Sequence, residues 1–592
     1  MQKTMSPSKK EMQNLLKVAL GDQKADLAIV NGDLVNVYTG ELLHDWSVAV
    51  KGDRIAYVGD NAGHTIGPET KVIDASGKII IPGLVDSHTH LLYLYHPSEF
   101  IKHAMPGGTT TIITETMEIA FPLGIQGIVD FLDLTKEQPI KMFATAPPMS
   151  TISPTAEKLA IDAKTLRKLL KREDILGLGE TYWSSLFDGN DRIFGLFAET
   201  LAAGKKLEGH SAGARGNRLI SYIATGISSC HESTTVEEAL ERLRLGVYTM
   251  IREGDIRMEL PVISKIKDQE IDFRRLVLTT DGIGPQRLMT DGYMEFVLQR
   301  AIDFGFAPIT AIQMATLNAA EHFHIDHFVG GIAPGKFADI VIIPDLKTIR
   351  AEYVISNGNI VAKNNKLLVL PRKSNFPKRN FRSIDIHRKL KPADFNIRVG
   401  TESKQVKVRV MDMVTDLVTR EAKLDIATTD GEINIDKDKD ILKIAVITTD
   451  NKKEKIFTGL VKGFGIGKGA LATSAVWDNC ALLVVGADEK DMAGAVNRLI
   501  ALKGGIVVCA DGKVEAELSL PFGGILSDQP IETIVRDMNL LQEKMVDLGC
   551  SFPDAHMSLT IFSGPAIPFL RISEEGLVDT RKGITVDLIV PE

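Results

Sequence analysis

IIIPGLVDSHTH, residues 79–90, decides how this chain is read. His88 and His90 flank Thr89, so on an extended strand the two imidazoles leave from the same face, about 7 Å apart. Paired histidines at the end of a strand suit a single metal ion. The apolar stretch before them reads as a buried strand, and the polar ending places chemistry where that strand stops.

Further runs of the same kind follow. They are TTTIITET (109–116) with Glu115, KMFATAPP (141–148), ILGLGE (175–180) ending at Glu180, and KLEGHSA (206–212) with His210. ISSCHE (227–232) carries His231, YTMIRE (248–253) ends at Arg252 and Glu253, and RLVLTTD (275–281) ends at Asp281. Helix-length amphipathic segments separate them, among them AKTLRKLLKRED (163–174), RIFGLFAETLAAGKK (192–206) and TVEEALERLRLG (235–246). Strict alternation of strand and helix argues for parallel βαβ units. Eight such units close a barrel whose active site lies at the C-terminal ends of its strands. The polar residues fall at that rim.

The flanks have another texture. Residues 25–80 alternate apolar and polar positions between turn signals (NGD, TGE, KGD, ASGK), which predicts antiparallel hairpins. Similar short strands return after Gly335 in FADIVIIPDLKTIRAEYVISNGNIVAKNNK. The expected fold is therefore α/β: a (β/α)8 TIM-like barrel at 81–333, with a composite β-sandwich domain built from 1–80 and 334–371. The basic run PRKSNFPKRNFRSIDIHRKLKP reads as an exposed linker at 372–400, and 401–592 as a C-terminal α/β domain. Its helix candidates are EKDMAGAVNRLIALKGG and IETIVRDMNLLQEKMVDLG.

A chain of 592 residues exceeds one core, and a net charge of −8 gives no sign of a nucleic-acid surface. The four cysteines (230, 480, 509, 550) form no CxxC pair, so neither a disulfide framework nor a thiolate zinc site is indicated. The N-terminal segment mixes charge through its apolar positions and reads as a surface helix, not a signal peptide. SLTIFSGPAIPFL (558–570) is apolar but short of a membrane span. These features describe a soluble cytoplasmic protein with no nucleic-acid or membrane partner.

The phrases PGLVDSHTH, GLGE, GHSAG and IAPGKFADIVI resemble the amidohydrolase superfamily, and MIREG, AIQMATLNAAEHF, LVKGFG, GALATS and AVNRLI, in that order, resemble its adenine deaminases. The resemblance runs from about residue 25 to the C-terminus. It implies hydrolysis of adenine to hypoxanthine and ammonia at a divalent metal centre, taken as two ions of manganese or iron, with zinc also compatible with the ligand types. By motif, His88 and His90 would ligate the more buried ion, His210 and His231 the second, with Glu180 bridging and Asp281 completing the set and moving protons. It also implies a homo-oligomer, taken as a dimer, acting on a small heterocycle.

That chemistry needs such a site. A bound divalent ion lowers the pKa of water from about 15.7 toward about 7, and expulsion of ammonia needs a proton delivered to the leaving nitrogen. Arg252, Glu253 and Glu115 are candidates to contact the ring, and Glu118 a helper acid. His322, His324 and His327 close a helix and are read as structural, and His96 and His103 as cover for the barrel mouth.

Some positions depart from the family pattern. Met117 stands where a His is usual, Gly282 and Gly284 where a second Asp and a His are usual, and Trp477 and Cys480 where the C-terminal segment carries histidines. These departures leave open another aminopurine, a pterin or a pyrimidine as substrate. A cyclic amidase and a non-catalytic metal-binding homologue also remain open.

Overall fold

The computed structural model describes residues 5–591 apart from 92, 93, 188, 189, 374, 382, 383, 385, 400–403, 451, 452, 567 and 568. The N-terminal surface helix spans Lys9–Leu20, and a capping box between Ser8 and Glu11 satisfies its first free amides.

The two flanks of the barrel share one continuous sheet. Strands Leu27–Asn36, Glu41–Lys51 and Arg54–Gly59 form antiparallel hairpins, and Ile340–Ile343, Tyr353–Ser356 and Asn359–Lys363 do the same on the other side. The join is made by Ile79–Pro82, which pairs antiparallel with Ile340–Ile343. Leu27, Ile29, Val48, Ile80, Ile340 and Ile342 meet in a core that draws on both segments. The hairpin expectation fails for two strands: Lys71–Asp74 and Ile79–Pro82 run parallel to Leu27–Asn36. After Gly59 the chain crosses over through residues 60–70, and a returning strand that follows a crossover runs parallel.

Eight parallel strands build the barrel: Leu84–Thr89, Thr109–Thr114, Lys141–Ala146, Ile175–Tyr182, Lys206–His210, Ser229–Cys230, Tyr248–Arg252 and Leu276–Thr279. The first five are paired in sequence order, as are the last three. Two backbone hydrogen bonds close the ring, Ser228 N to Leu207 O at 2.9 Å and Asp281 N to His88 O at 3.1 Å. Runs such as TTTIIT are buried at every position, as expected for strands covered on both faces. Beneath the rim, the Asp86 carboxylate accepts from Thr279 Oγ1 (2.6 Å), Thr280 Oγ1 (2.6 Å) and Tyr293 Oη (2.5 Å), fixing the first strand against the last.

Residues 372–400 pack more closely than an exposed linker. Their basic groups do lie outside, where Arg379 pairs with Asp130 and Arg388 with Asp394 and Glu454. Phe376, Ile386, Leu390 and Phe395 are buried, so the apolar residues interleaved with the charges strap the segment down. Beyond it, a nine-stranded sheet carries the amphipathic helix Glu489–Leu502, which is capped by Asp488 and buries Met492, Val496 and Leu499. Helix Ile531–Asp547 follows, and a small sheet ends the chain. The apolar stretch 558–570, of which 567 and 568 lie outside the described residues, begins within the short helix Ala555–Thr560 and lies over the barrel mouth. Among the described residues no helix is long and apolar enough to cross a membrane.

Candidate metal centre

The strand ends bring His88, His90, Glu180, His210, His231 and Asp281 into one buried cluster. Three overlapping triads (His88, His90, Glu180; His88, His231, Asp281; Glu180, His210, His231) each hold their ligand atoms within 4.8 Å of one another. Asp281 Oδ1 lies 3.2 Å from His88 Nε2 and 3.3 Å from His90 Nε2. Glu180 spans the cluster, with Oε1 3.5 Å from His90 Nε2 and Oε2 3.2 Å from His231 Nε2. His88 and His231 stack with ring centres 4.0 Å apart.

Local backbone places these groups. His88 and His90 share a face of the first strand, and Glu180 sits inside the fourth. Asp281 lies two residues past the eighth strand with φ of 55°, a left-handed conformation that costs a non-glycine residue energy and recurs at functional sites. Gly282 follows with φ of 97°, and a Cβ there would stand 3.4 Å from His90 Cβ.

The residues fit a divalent cation. His88 Nε2 and Asp281 Oδ1 are both buried and face each other at 3.2 Å, yet neither makes a hydrogen bond to any described residue. Two unsatisfied acceptor-capable atoms converging in this way are costly without a cation, and imidazole with carboxylate is a common ligand set for one. Burial alone would raise the pKa of Glu180, but His231, His90 and His210 outweigh it and hold the carboxyl at about 2.

Other groups set the ligands in place. Glu118, at the start of helix Met117–Thr135, hydrogen-bonds His90 Nδ1 and leaves Nε2 facing the cluster, the usual carboxylate support of a metal-binding histidine. Glu115 lies below, where its Oε1 accepts from Glu180 N at 3.2 Å. Burial and the neighbouring Glu180 push its carboxyl up to about 8. Glu115 and Glu118 therefore touch ligands and do not line the cavity.

Arg252 lines the cavity, but its guanidinium is fully engaged. It pairs with Glu232, with Asp281 Oδ2 at 3.1 Å and with Glu259 Oε1 at 2.8 Å. Glu253 is not brought to the site: alternation turns it to the opposite face, where Arg300 Nε donates at 2.7 Å and Leu260 N at 3.2 Å. His322 is fully buried beside Glu208 at 2.7 Å, away from the cluster, and His96 caps helix Pro97–Ala104.

The cluster forms the floor of a cavity of about 310 Å³. Its far wall comes from the C-terminal region: Leu417, Val418, Trp477, Asp478, Met557 and Ile561. Trp477 meets His90 edge to face at 5.0 Å, and Tyr182 Oη donates to Asp478 Oδ2 at 2.9 Å. Sequence reasoning missed Glu232, Tyr182 and Asp478. Glu232 directly follows His231, and its Oε1 stands 3.3 Å from both His210 Nε2 and His231 Nε2. Its position beside a candidate ligand was the available signal, whereas nothing local marked Asp478.

The sequence model of the Amidohydrolase family matches residues 79–362, and that of the Adenine deaminase C-terminal domain matches 416–583. An adenine deaminase of Clostridium botulinum (strain Loch Maree / Type A3) is 38% identical across 98% of this chain and 97% of its own. The chain belongs to the adenine deaminase family. The adenine deaminase of Moorella thermoacetica is 37% identical over 99% of both chains, and adenine deaminase 3 of Rhizobium meliloti is 35% identical over 97% of this chain and 98% of its own. As an amidohydrolase of this family, the protein is a metal-dependent hydrolase acting on carbon–nitrogen bonds of cyclic amidines. The cluster described above supplies the candidate ligands for its divalent metal.

Proposed function

We propose that the protein hydrolyses adenine to hypoxanthine and ammonia in the cavity above the His/Glu/Asp cluster. The observation that carries this reading is the coincidence of two facts: full-length similarity to adenine deaminases, and a buried cluster of ligand atoms opening into one cavity. His88, His90 and Asp281 would hold the deeper of two ions, His210 and His231 the second, with Glu180 between them. Manganese or iron are the metals favoured, and nitrogen and oxygen ligands accept either. Bound there, a divalent ion makes water nucleophilic at neutral pH.

The chain's own residues do the rest. Asp281 touches His88 and His90 and itself lines the cavity, so it can take the proton of the attacking water and return it to the leaving amino nitrogen. Arg252 keeps Asp281 and Glu232 ionised and aimed, since those carboxylates outweigh burial and hold the guanidinium charged. A cavity of about 310 Å³ is of the size that encloses a small planar bicycle. Trp477 and Ile561 supply apolar wall for its faces.

The departures from the family pattern are compatible with this reading. Met117 is buried outside the cavity, and Gly282 and Gly284 border a recess of about 20 Å³ beside His90 and Trp477. We further propose a division into a composite β-domain (1–80 and 334–371), a barrel (81–333), a connecting strap (372–400) and a C-terminal domain (401–592) that roofs the cavity. The test is hypoxanthine formation from adenine, set against other aminopurines, aminopterins and aminopyrimidines. Adenine should be the best substrate of the panel, and a clear preference for another ring would reassign the function.

A further inference from the structure

Asp478 lines the cavity and carries a buried carboxyl oxygen that no described group of the chain satisfies. The residue is 3% exposed and adopts φ of 57°, so the turn at 477–479 directs its side chain inward at some conformational cost. Oδ2 accepts from Tyr182 Oη at 2.9 Å, while Oδ1 is buried and makes no hydrogen bond to any described residue. Tyr182 ends the barrel strand that carries Glu180, two residues earlier on the same face. The adjacent Trp477 packs against His90. Asp478 thus stands in a wall that faces the metal centre and is held there by the barrel itself.

A buried oxygen without a partner carries its full desolvation penalty until something binds it. Tyr182 already serves Oδ2, and two other charged groups of the cavity are engaged elsewhere: Arg252 with Glu232, Glu259 and Asp281, and Glu238 with Arg215 and Thr234. The remaining occupant of the cavity is the substrate. Burial favours the protonated form of Asp478, which can donate from Oδ1.

We infer that Asp478 is a specificity-determining residue whose Oδ1 hydrogen-bonds an unsubstituted ring nitrogen of the bound heterocycle, with Tyr182 fixing the carboxyl's orientation. The inference rests on the deaminase reading of the cavity and deepens it. The C-terminal region then selects flat aza-heterocycles that offer an acceptor nitrogen away from the reacting carbon. A carbocyclic replacement at that nitrogen leaves the carboxyl unpaired and is rejected, and rejection on that basis is far steeper than apolar shape alone provides.

The test uses metal-loaded full-length protein with adenine and its 1-, 3- and 7-deaza analogues. In the unsubstituted enzyme one analogue should lose on the order of 100-fold or more in kcat/KM relative to adenine. In Asp478→Ala that ratio should collapse to within about threefold while metal content stays unchanged, and Asp478→Asn, which keeps a donor, should restore part of it. A uniform loss on all substrates with the ratio intact, or no change at all, would overturn the inference. Should Asp478→Ala not fold, Tyr182→Phe must weaken the same ratio, and an unaltered ratio there also overturns it. An enzyme silent on adenine contradicts the deaminase reading instead. The same comparison is then made by calorimetric affinities, where loss of discrimination in Asp478→Ala supports the inference and retained discrimination, or no binding by any of the compounds, contradicts it.

Discussion

His88 Nε2 and Asp281 Oδ1 lie 3.2 Å apart, buried at the ends of the first and eighth barrel strands. The same two residues share the backbone bond from Asp281 N to His88 O that closes the barrel. The contact that joins the first and eighth strands thus also brings two candidate ligands together, and the two atoms left without hydrogen bonds mark where a cation belongs.

Replacing one of them should therefore remove metal and activity together. His88→Ala is expected to lower bound metal, read by elemental analysis, and to abolish ammonia release. Normal metal content with full activity would take His88 out of the centre.

Asp281 has a second task in proton transfer. Asp281→Asn should keep the fold and much of the metal but reduce kcat by about 10²–10⁴-fold, the usual contribution of a positioned proton carrier. An unchanged kcat would assign the proton to another group.

Arg252 sits fully buried among Glu232, Asp281 and Glu259. Arg252→Met leaves those carboxylates uncompensated and should cost about 3–5 kcal/mol of stability in urea unfolding. Arg252→Lys should recover only part, because one ammonium cannot reproduce the bidentate grip on Glu259. A loss below about 1 kcal/mol for the Met variant would mean the network is wet and screened.

The roof carries its own pH sensitivity. Burial lowers the pKa of His556 from 6.5 to about 4, and the ring is held by Thr473 Oγ1 at 3.0 Å. A folded-state pKa below the unfolded one means this stability is present above pH 6.5 and is lost as pH falls through about 4. Each pH unit between those two values costs about 1.4 kcal/mol, so the whole loss is on the order of 3 kcal/mol. Stability curves of the His556→Gln variant should flatten across that window, and a slope equal to that of the unsubstituted protein would place the titration elsewhere.

The barrel and most of its rim were legible because the strands are short and apolar and most of them run into a His, Glu or Asp, as at Glu180 and Asp281. Period-two alternation also fixed the shared face of His88 and His90. The same alternation leaves the end of the seventh strand undecided from sequence, where either Arg252 or Glu253 could face inward, and only barrel closure chose Arg252. Glu115 and Glu118 were recognisable as carboxylates near the site, but whether they touch ligand or substrate depends on depth, which a sequence does not encode. Asp478 and Tyr182 meet across nearly 300 positions of chain, and no local pattern records such a contact. In 372–400 charge masked the alternating apolar residues that pack.

Product analysis of adenine incubated with protein reconstituted with manganese or iron, before and after chelation, tests whether the protein is a metal-dependent adenine deaminase. Equimolar hypoxanthine and ammonia should form, vanish when the metal is stripped and return when it is restored. No hypoxanthine from fully metal-loaded protein would contradict the assignment.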